Sequence, residues 1–139
     1  MKKLCMLSII GVIAGVFLAV FLRVMQQITG SQAYILLFSV DYLPILKDLY
    51  PKSLVQAAFH FGTCVASTIV LYYFFRLFYL EKKISAYVIV IFIGSGLLYF
   101  LTMLSSYTPP ITDLYSWIYW STGHVIFSII IGTLIKRWL

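Results

Sequence analysis

Four long apolar runs constrain this chain more than any other feature. Each run reaches the roughly 20 residues that a helix needs to cross the hydrocarbon core of a bilayer. Because backbone N–H and C=O groups in lipid must bond within their own segment, we predict that all four runs are helices. The expected fold is an all-α integral membrane four-transmembrane-helix bundle in a single domain. The predicted spans are residues 4–24, 53–79, 84–106 and 114–135.

Composition supports a membrane environment. The chain is 63% hydrophobic and only 10% charged, whereas soluble domains carry about 25% charged residues. The net charge of +6 does not indicate nucleic-acid binding, because the basic residues flank the apolar runs instead of forming a stripe. We therefore expect the lipid bilayer, and no nucleic acid, as a partner.

The distribution of Lys and Arg predicts the orientation. With four spans, three basic residues fall on one side of the membrane, namely Arg23, Lys47 and Lys52. The positive-inside rule assigns the more basic side to the cytoplasm. Both termini are then cytoplasmic, N-in and C-in, in a multi-pass protein of a bacterial cytoplasmic (inner) membrane. The more basic side carries Lys2, Lys3, Arg76, Lys82, Lys83, Lys136 and Arg137.

The connections predict which spans are neighbours. The turns at residues 80–83 and 105–113 are short, so we expect spans two and three, and also spans three and four, to be antiparallel neighbours. The outer loop, residues 25–52, mixes apolar residues with charges and with two prolines. It predicts either an interfacial or re-entrant helix or a plain loop packed over the outer face.

Two histidines lie inside the predicted spans. His60 is in the second span and His124 in the fourth, and both spans run from the outside inwards. At 1.5 Å of rise per residue, they lie about 10 Å and about 15 Å below the outer ends of their helices. An ionisable group within the membrane is a functional candidate by default. His60 and His124 can therefore share one site in the outer half of the bundle.

Four interpretations of this pair remain open. A histidine pair can respond to protons near neutral pH, or two imidazoles on facing helices can ligate a haem iron. With Cys64, which lies four residues after His60, the pair offers three ligands for a metal. The structural alternative is that each imidazole bonds to a hydroxyl or to backbone on a neighbouring helix. By helical spacing, the hydroxyl groups placed to bond to the imidazoles are those of Thr63, Ser67, Ser121 and Ser128.

Charged residues near the outer end complete the predicted polar site. Arg23 ends the first span and is interpreted either as a snorkelling anchor or as an ion-pair partner of Asp113 or Asp41. Asp113, or Thr112 before it, is placed to cap the fourth helix. Gly11 and Gly15 permit close helix packing, within the bundle or in a dimer. The predicted proton-responsive or polar site comprises His60, His124, Arg23 and Asp113.

The C-terminal third resembles a known family. A TPP turn is followed by an Asp-Leu pair and aromatic residues, then by Gly-His in the last span and by a basic end. This pattern is similar to that of the YagU family of bacterial inner-membrane proteins, whose first span the IGVIAGV segment also resembles. The resemblance implies a multi-span protein associated with acid tolerance. The residues that carry it are Thr108, Pro109, Pro110, Asp113, Leu114, Trp117, Gly123, His124, Lys136 and Arg137.

The expected function is therefore that of a small polytopic inner-membrane protein associated with acid or stress tolerance. We expect no enzyme, since the chain offers no nucleophile–base–acid set and no paired carboxylates. One alternative is a bis-histidine haem-binding redox protein, in which haem would be the cofactor held by His60 and His124. Another is an accessory subunit of a larger transporter or envelope complex. A homo-oligomer and a membrane-protein partner both remain open.

Overall fold

The computed structural model describes residues 2–39, 53–104 and 109–139. These residues form α-helices and one 3-10 helix, and the described part of the chain contains no strand. The all-α prediction is thus confirmed for it. In chain order the elements are α1 (Lys2–Thr29), α2 (Ala33–Phe38), α3 (Ser53–Arg76), α4 (Ile84–Tyr99), the 3-10 helix (Phe100–Leu104) and α5 (Leu114–Trp138).

Helices α1, α3 and α5 are each long and apolar enough to span a membrane, and α4 is a shorter apolar helix. The helix ends differ from the predicted ones for local reasons. α1 continues to Thr29 and ends before Gly30, whose φ of 75° is a left-handed conformation that glycine adopts without strain. α3 stops at Arg76, and Tyr79 in the turn after it has a φ of 58°.

Helix α1 lies at the centre of the structure because it packs against both α3 and α5. On the α3 side, a Cβ atom added at Gly11 would lie 2.8 Å from Cα of Val65. On the α5 side, a Cβ atom at Gly123 would lie 2.9 Å from the Leu18 side chain. The contact at Gly11 requires glycine because it is with backbone, whereas the Leu18 side chain at Gly123 can shift. The small residues therefore set helix spacing within this chain.

The order of packing is α3, α1, α5, α4, and α4 packs extensively on α5. The predicted contact between spans three and four is confirmed, while that between spans two and three is wrong. α3 and α4 meet near their connecting turn, where the Phe75 and Tyr87 rings are 4.8 Å apart, but they do not pack along their described lengths. α1 and α5 occupy the faces through which α3 and α4 bury their side chains.

The short helix α2 covers the end of the bundle opposite the α3–α4 turn. Its buried residues are Ala33, Leu36 and Leu37, and it contacts α1, α3 and α5. The hydroxyls of Ser31 and Ser116 lie 2.8 Å apart and attach the α1–α2 connection to the start of α5. Part of the predicted outer loop is therefore helical and packed, while residues 40–52, with Asp41, lie outside the described residues.

The glycine packing predicts opposite effects of one substitution at two positions of the bundle. Gly11→Ala should lower the apparent melting temperature in detergent, because overpacking against backbone costs about 1–3 kcal/mol. Gly62→Ala should leave that temperature unchanged or raise it, since a Cβ atom there meets nothing within 4 Å. Both changes gain the same helix propensity, about 1 kcal/mol. Equal melting temperatures for the two variants would contradict the α1–α3 packing.

Candidate functional site

A cavity of about 550 Å³ lies in the gap between α3 and α4. Leu18 of α1 and Phe127 of α5 contribute to its wall, and Leu36 and Leu37 of α2 line it as well. Val70, Val90 and Leu98 also line it and are exposed. The cavity therefore opens sideways between the two helices, and its wall is mainly apolar. Cavities of about 300–1,000 Å³ with a few polar groups are typical of small-molecule sites.

Both histidines line this one cavity. His60 comes from α3 and His124 from α5, and these helices are on opposite sides of α1 in the packing order. The structure thus brings together the two residues singled out from the sequence.

His60 is buried against α1, with 2% of its surface exposed. Its Nε2 lies 3.2 Å from the carbonyl oxygen of Gly15. A carbonyl only accepts, so Nε2 carries the proton and donates, and Nδ1 of the neutral ring keeps its lone pair. Sγ of Cys64 lies 3.9 Å from that Nδ1, and the Phe38 and Phe61 rings have centroids 5.0 Å and 4.9 Å from the imidazole.

His124 is held in the opposite tautomer. Its Nδ1 lies 2.8 Å from the carbonyl oxygen of Trp120, one turn earlier on the same helix. Nδ1 must therefore carry the proton, so Nε2 keeps its lone pair. Within the described ranges no polar atom bonds to this Nε2. The Trp120 ring packs against the imidazole with centroids 4.3 Å apart.

Three of the four hydroxyl groups expected to bond to the imidazoles donate to backbone carbonyls instead. Thr63 donates to the carbonyl of His60 at 2.8 Å, and Ser67 donates to that of Cys64 at 3.1 Å. Ser128 donates to Val125, while the buried Ser121 hydroxyl has no partner among the described residues. The prediction that hydroxyl groups bond to the imidazoles is therefore wrong. Backbone carbonyls take that role because each His lies directly beside one.

The metal and haem interpretations fit this arrangement poorly. In the described parts of the chain, no group of three or more His, Cys, Asp or Glu side chains comes close enough to hold a metal ion. His60 uses its Nε2 to donate to the Gly15 carbonyl, and that nitrogen is then not free to ligate iron. A bis-histidine haem would require that ring to reorient.

Arg23 and Asp113 have separate local roles. The Arg23 guanidinium donates to Oε1 of Gln26 at 2.7 Å and lies 5.2 Å from the centroid of the Tyr34 ring. Asp113 accepts from the backbone N–H of Ser116 at 3.1 Å and caps α5, as the sequence predicted. Neither side chain lines the histidine cavity. Capping therefore accounts for Asp113, while the snorkelling interpretation of Arg23 stays a prediction.

Two residues of the site carried no signal of their role in the sequence. Aromatic residues near the outer end of a span usually mark the membrane interface, yet the Trp120 ring is buried and its Nε1 donates to the Ser95 carbonyl at 2.8 Å. This bond links α5 to α4 at the cavity wall. Gly94 lines the cavity, and a Cβ atom added there meets nothing within 4 Å, so it is not a close-packing glycine. Helical spacing from His124 could have indicated Trp120.

No protein family model, curated protein or solved structure matches this chain.

The hydrogen bonds predict distinct tautomers for the two rings. At about pH 8, where neutral imidazole dominates in general, nitrogen-15 spectra of histidine-labelled protein in bilayers should show protonated Nε2 for His60 and protonated Nδ1 for His124. The chain has only two histidines, so His60→Gln assigns the signals. The same tautomer on both rings would contradict this geometry.

Proposed function

We propose that this chain is a small four-span protein of a bacterial inner membrane, not an enzyme, and that it acts in acid or stress tolerance through a proton-responsive pair, His60 and His124. The observation that carries the proposal is that both imidazoles line one mainly apolar cavity. The YagU resemblance supports the physiological setting but rests on sequence pattern alone.

Helix lengths support the four-span count. α4 has 16 residues and continues into a five-residue 3-10 helix. At the usual rises these extend about 24 Å and about 10 Å, which together match a hydrocarbon core of about 30 Å. Packing supports the orientation as well. α5 approaches the start of α4 through Gly132, whose Cβ atom would lie 3.1 Å from Cα of Ile84, so Lys136 and Arg137 are near the basic α3–α4 turn.

Proton sensing follows from the chemistry of the two rings. Each imidazole has one nitrogen bonded to a backbone carbonyl and a second nitrogen with a lone pair. Acidification can protonate that second nitrogen. The cation then lies in a mainly apolar cavity, where an unpaired charge is costly unless water or a polar partner enters. Protonation therefore favours rearrangement at the α3–α4 opening, where the two helices are not packed.

The alternatives receive less support. Bis-histidine haem ligation conflicts with the Gly15 bond of His60. The accessory-subunit interpretation stays a prediction, as does assembly into a homo-oligomer.

Proton sensing can be tested directly on the histidines and on survival. Titration of nitrogen-15 histidine signals in bilayers from about pH 8 to about pH 5 should show protonation of at least one ring. A host deleted for this gene should survive acid exposure with the wild-type copy and lose that protection with the His60→Gln, His124→Gln double variant.

The control for survival is Gly62→Ala, which lies away from the cavity and should protect as the wild type does. Full protection by the double variant would exclude a proton-sensing role. Two rings that stay neutral throughout the titration would exclude it as well.

The native cysteines provide a test of orientation. Cys5 is exposed near the start of α1 and Cys64 is buried. A membrane-impermeant maleimide should therefore label Cys5 in inverted vesicles and leave it unlabelled in right-side-out ones, with Cys5→Ser as the control. The reverse pattern would place the N-terminus outside.

A further inference from the structure

Nearly all hydrogen-bond donors on the side chains of the histidine cavity are already used. The wall donors Thr63, Ser67 and Ser95 each give their hydroxyl proton to a carbonyl of their own helix. The Trp120 indole and both imidazole N–H groups also donate to carbonyls. The remaining donor on the wall is the Cys64 thiol, which is weak and lies beside His60.

What the cavity still offers is an acceptor. Nε2 of His124 has a lone pair and no bond to any polar atom in the described residues. A ligand that itself supplies a donor would satisfy this nitrogen, whereas a ligand with only carbonyl or ether oxygens would bring two acceptors together. Leaving a buried acceptor unpaired costs free energy, so the cavity discriminates between these ligand types.

The rest of the cavity determines the body of such a ligand. Its wall is mainly leucine, valine and aromatic side chains, and its rim residues Val70, Val90 and Leu98 are exposed between α3 and α4. In the proposed membrane setting this opening faces lipid chains, so an apolar molecule can enter sideways from the bilayer. The volume of about 550 Å³ accommodates a ring with a short chain.

We propose that this cavity binds an apolar membrane-soluble molecule with a hydroxyl head, of the alkylphenol or hydroquinone class, whose O–H donates to Nε2 of His124. The inference deepens the proposed function and rests on its membrane location. It assigns the cavity a ligand that binds when the histidines are neutral. No oxidation or other reaction of the ligand is involved.

The decisive test compares two ligands on the wild-type protein. 4-Nonylphenol and its methyl ether, 4-nonylanisole, differ in the hydroxyl proton. In nanodiscs at about pH 8, the phenol should bind saturably and shift the His124 Nε2 signal. The ether should bind about tenfold more weakly, which is what a lost hydrogen bond in a buried site produces. Equal affinities would overturn the proposal.

Variants locate the binding site. Gly94→Leu should abolish phenol binding, because Gly94 lines the cavity and its Cβ position is open. Gly62→Leu is the matched control, since its Cβ position is equally open but Gly62 is not part of the cavity wall. His124→Phe should remove the preference for phenol over ether. Binding unchanged in Gly94→Leu would place the ligand elsewhere and overturn the proposal.

Proton sensing and ligand binding can be refuted independently of each other. Proton sensing is tested without ligand by the histidine titration, whereas ligand binding is tested with neutral rings. If phenol binds but both rings stay neutral on acidification, the ligand proposal is supported and proton sensing is excluded. If a ring titrates but the protein shows no preference for phenol over ether, proton sensing is supported and the ligand proposal is excluded.

Discussion

The close approach of α1 and α3 at Gly11 and Gly15 is the constraint on which the rest of the site depends. With Val65 and Cys64 in direct reach of these glycines, the backbone of α1 comes near enough for the Gly15 carbonyl to accept from His60. In a bilayer, helices gain little from burying apolar surface against each other, so close van der Waals packing carries the association. The glycines thus position a helix and select the tautomer of a histidine.

A second consequence is the gap between α3 and α4. α3 buries one face on α1, and α4 buries one face on α5. The two helices joined by the short turn therefore share little contact beyond the Phe75–Tyr87 pair next to that turn. A space lined by four helices and α2 remains between them. Its wall is apolar, but it contains two imidazoles held by backbone bonds, and this combination suits a ligand better than it suits structural packing alone.

The balance of donors and acceptors decides what this space can bind. Serine and threonine hydroxyls within helices commonly donate to carbonyls of the preceding turn, and here they do so around the cavity. The imidazoles donate to backbone as well. The proposed proton uptake and the proposed ligand binding would both use lone pairs of these rings. Nε2 of His124 has no hydrogen-bond partner in the described part of the chain.

The sequence by itself determined the helices, because apolar runs of bilayer length have one way of satisfying their backbone. It also identified His60 and His124 as the unusual residues and Asp113 as a cap, since these depend on composition and local spacing. Only the tertiary structure decided that α3 and α4 are separated, that Gly94 lines a cavity while Gly11 packs on backbone, and which nitrogen of each histidine is free. Those features depend on which carbonyl or helix lies opposite a side chain. Helical periodicity assigns a residue to a face but does not identify what that face meets.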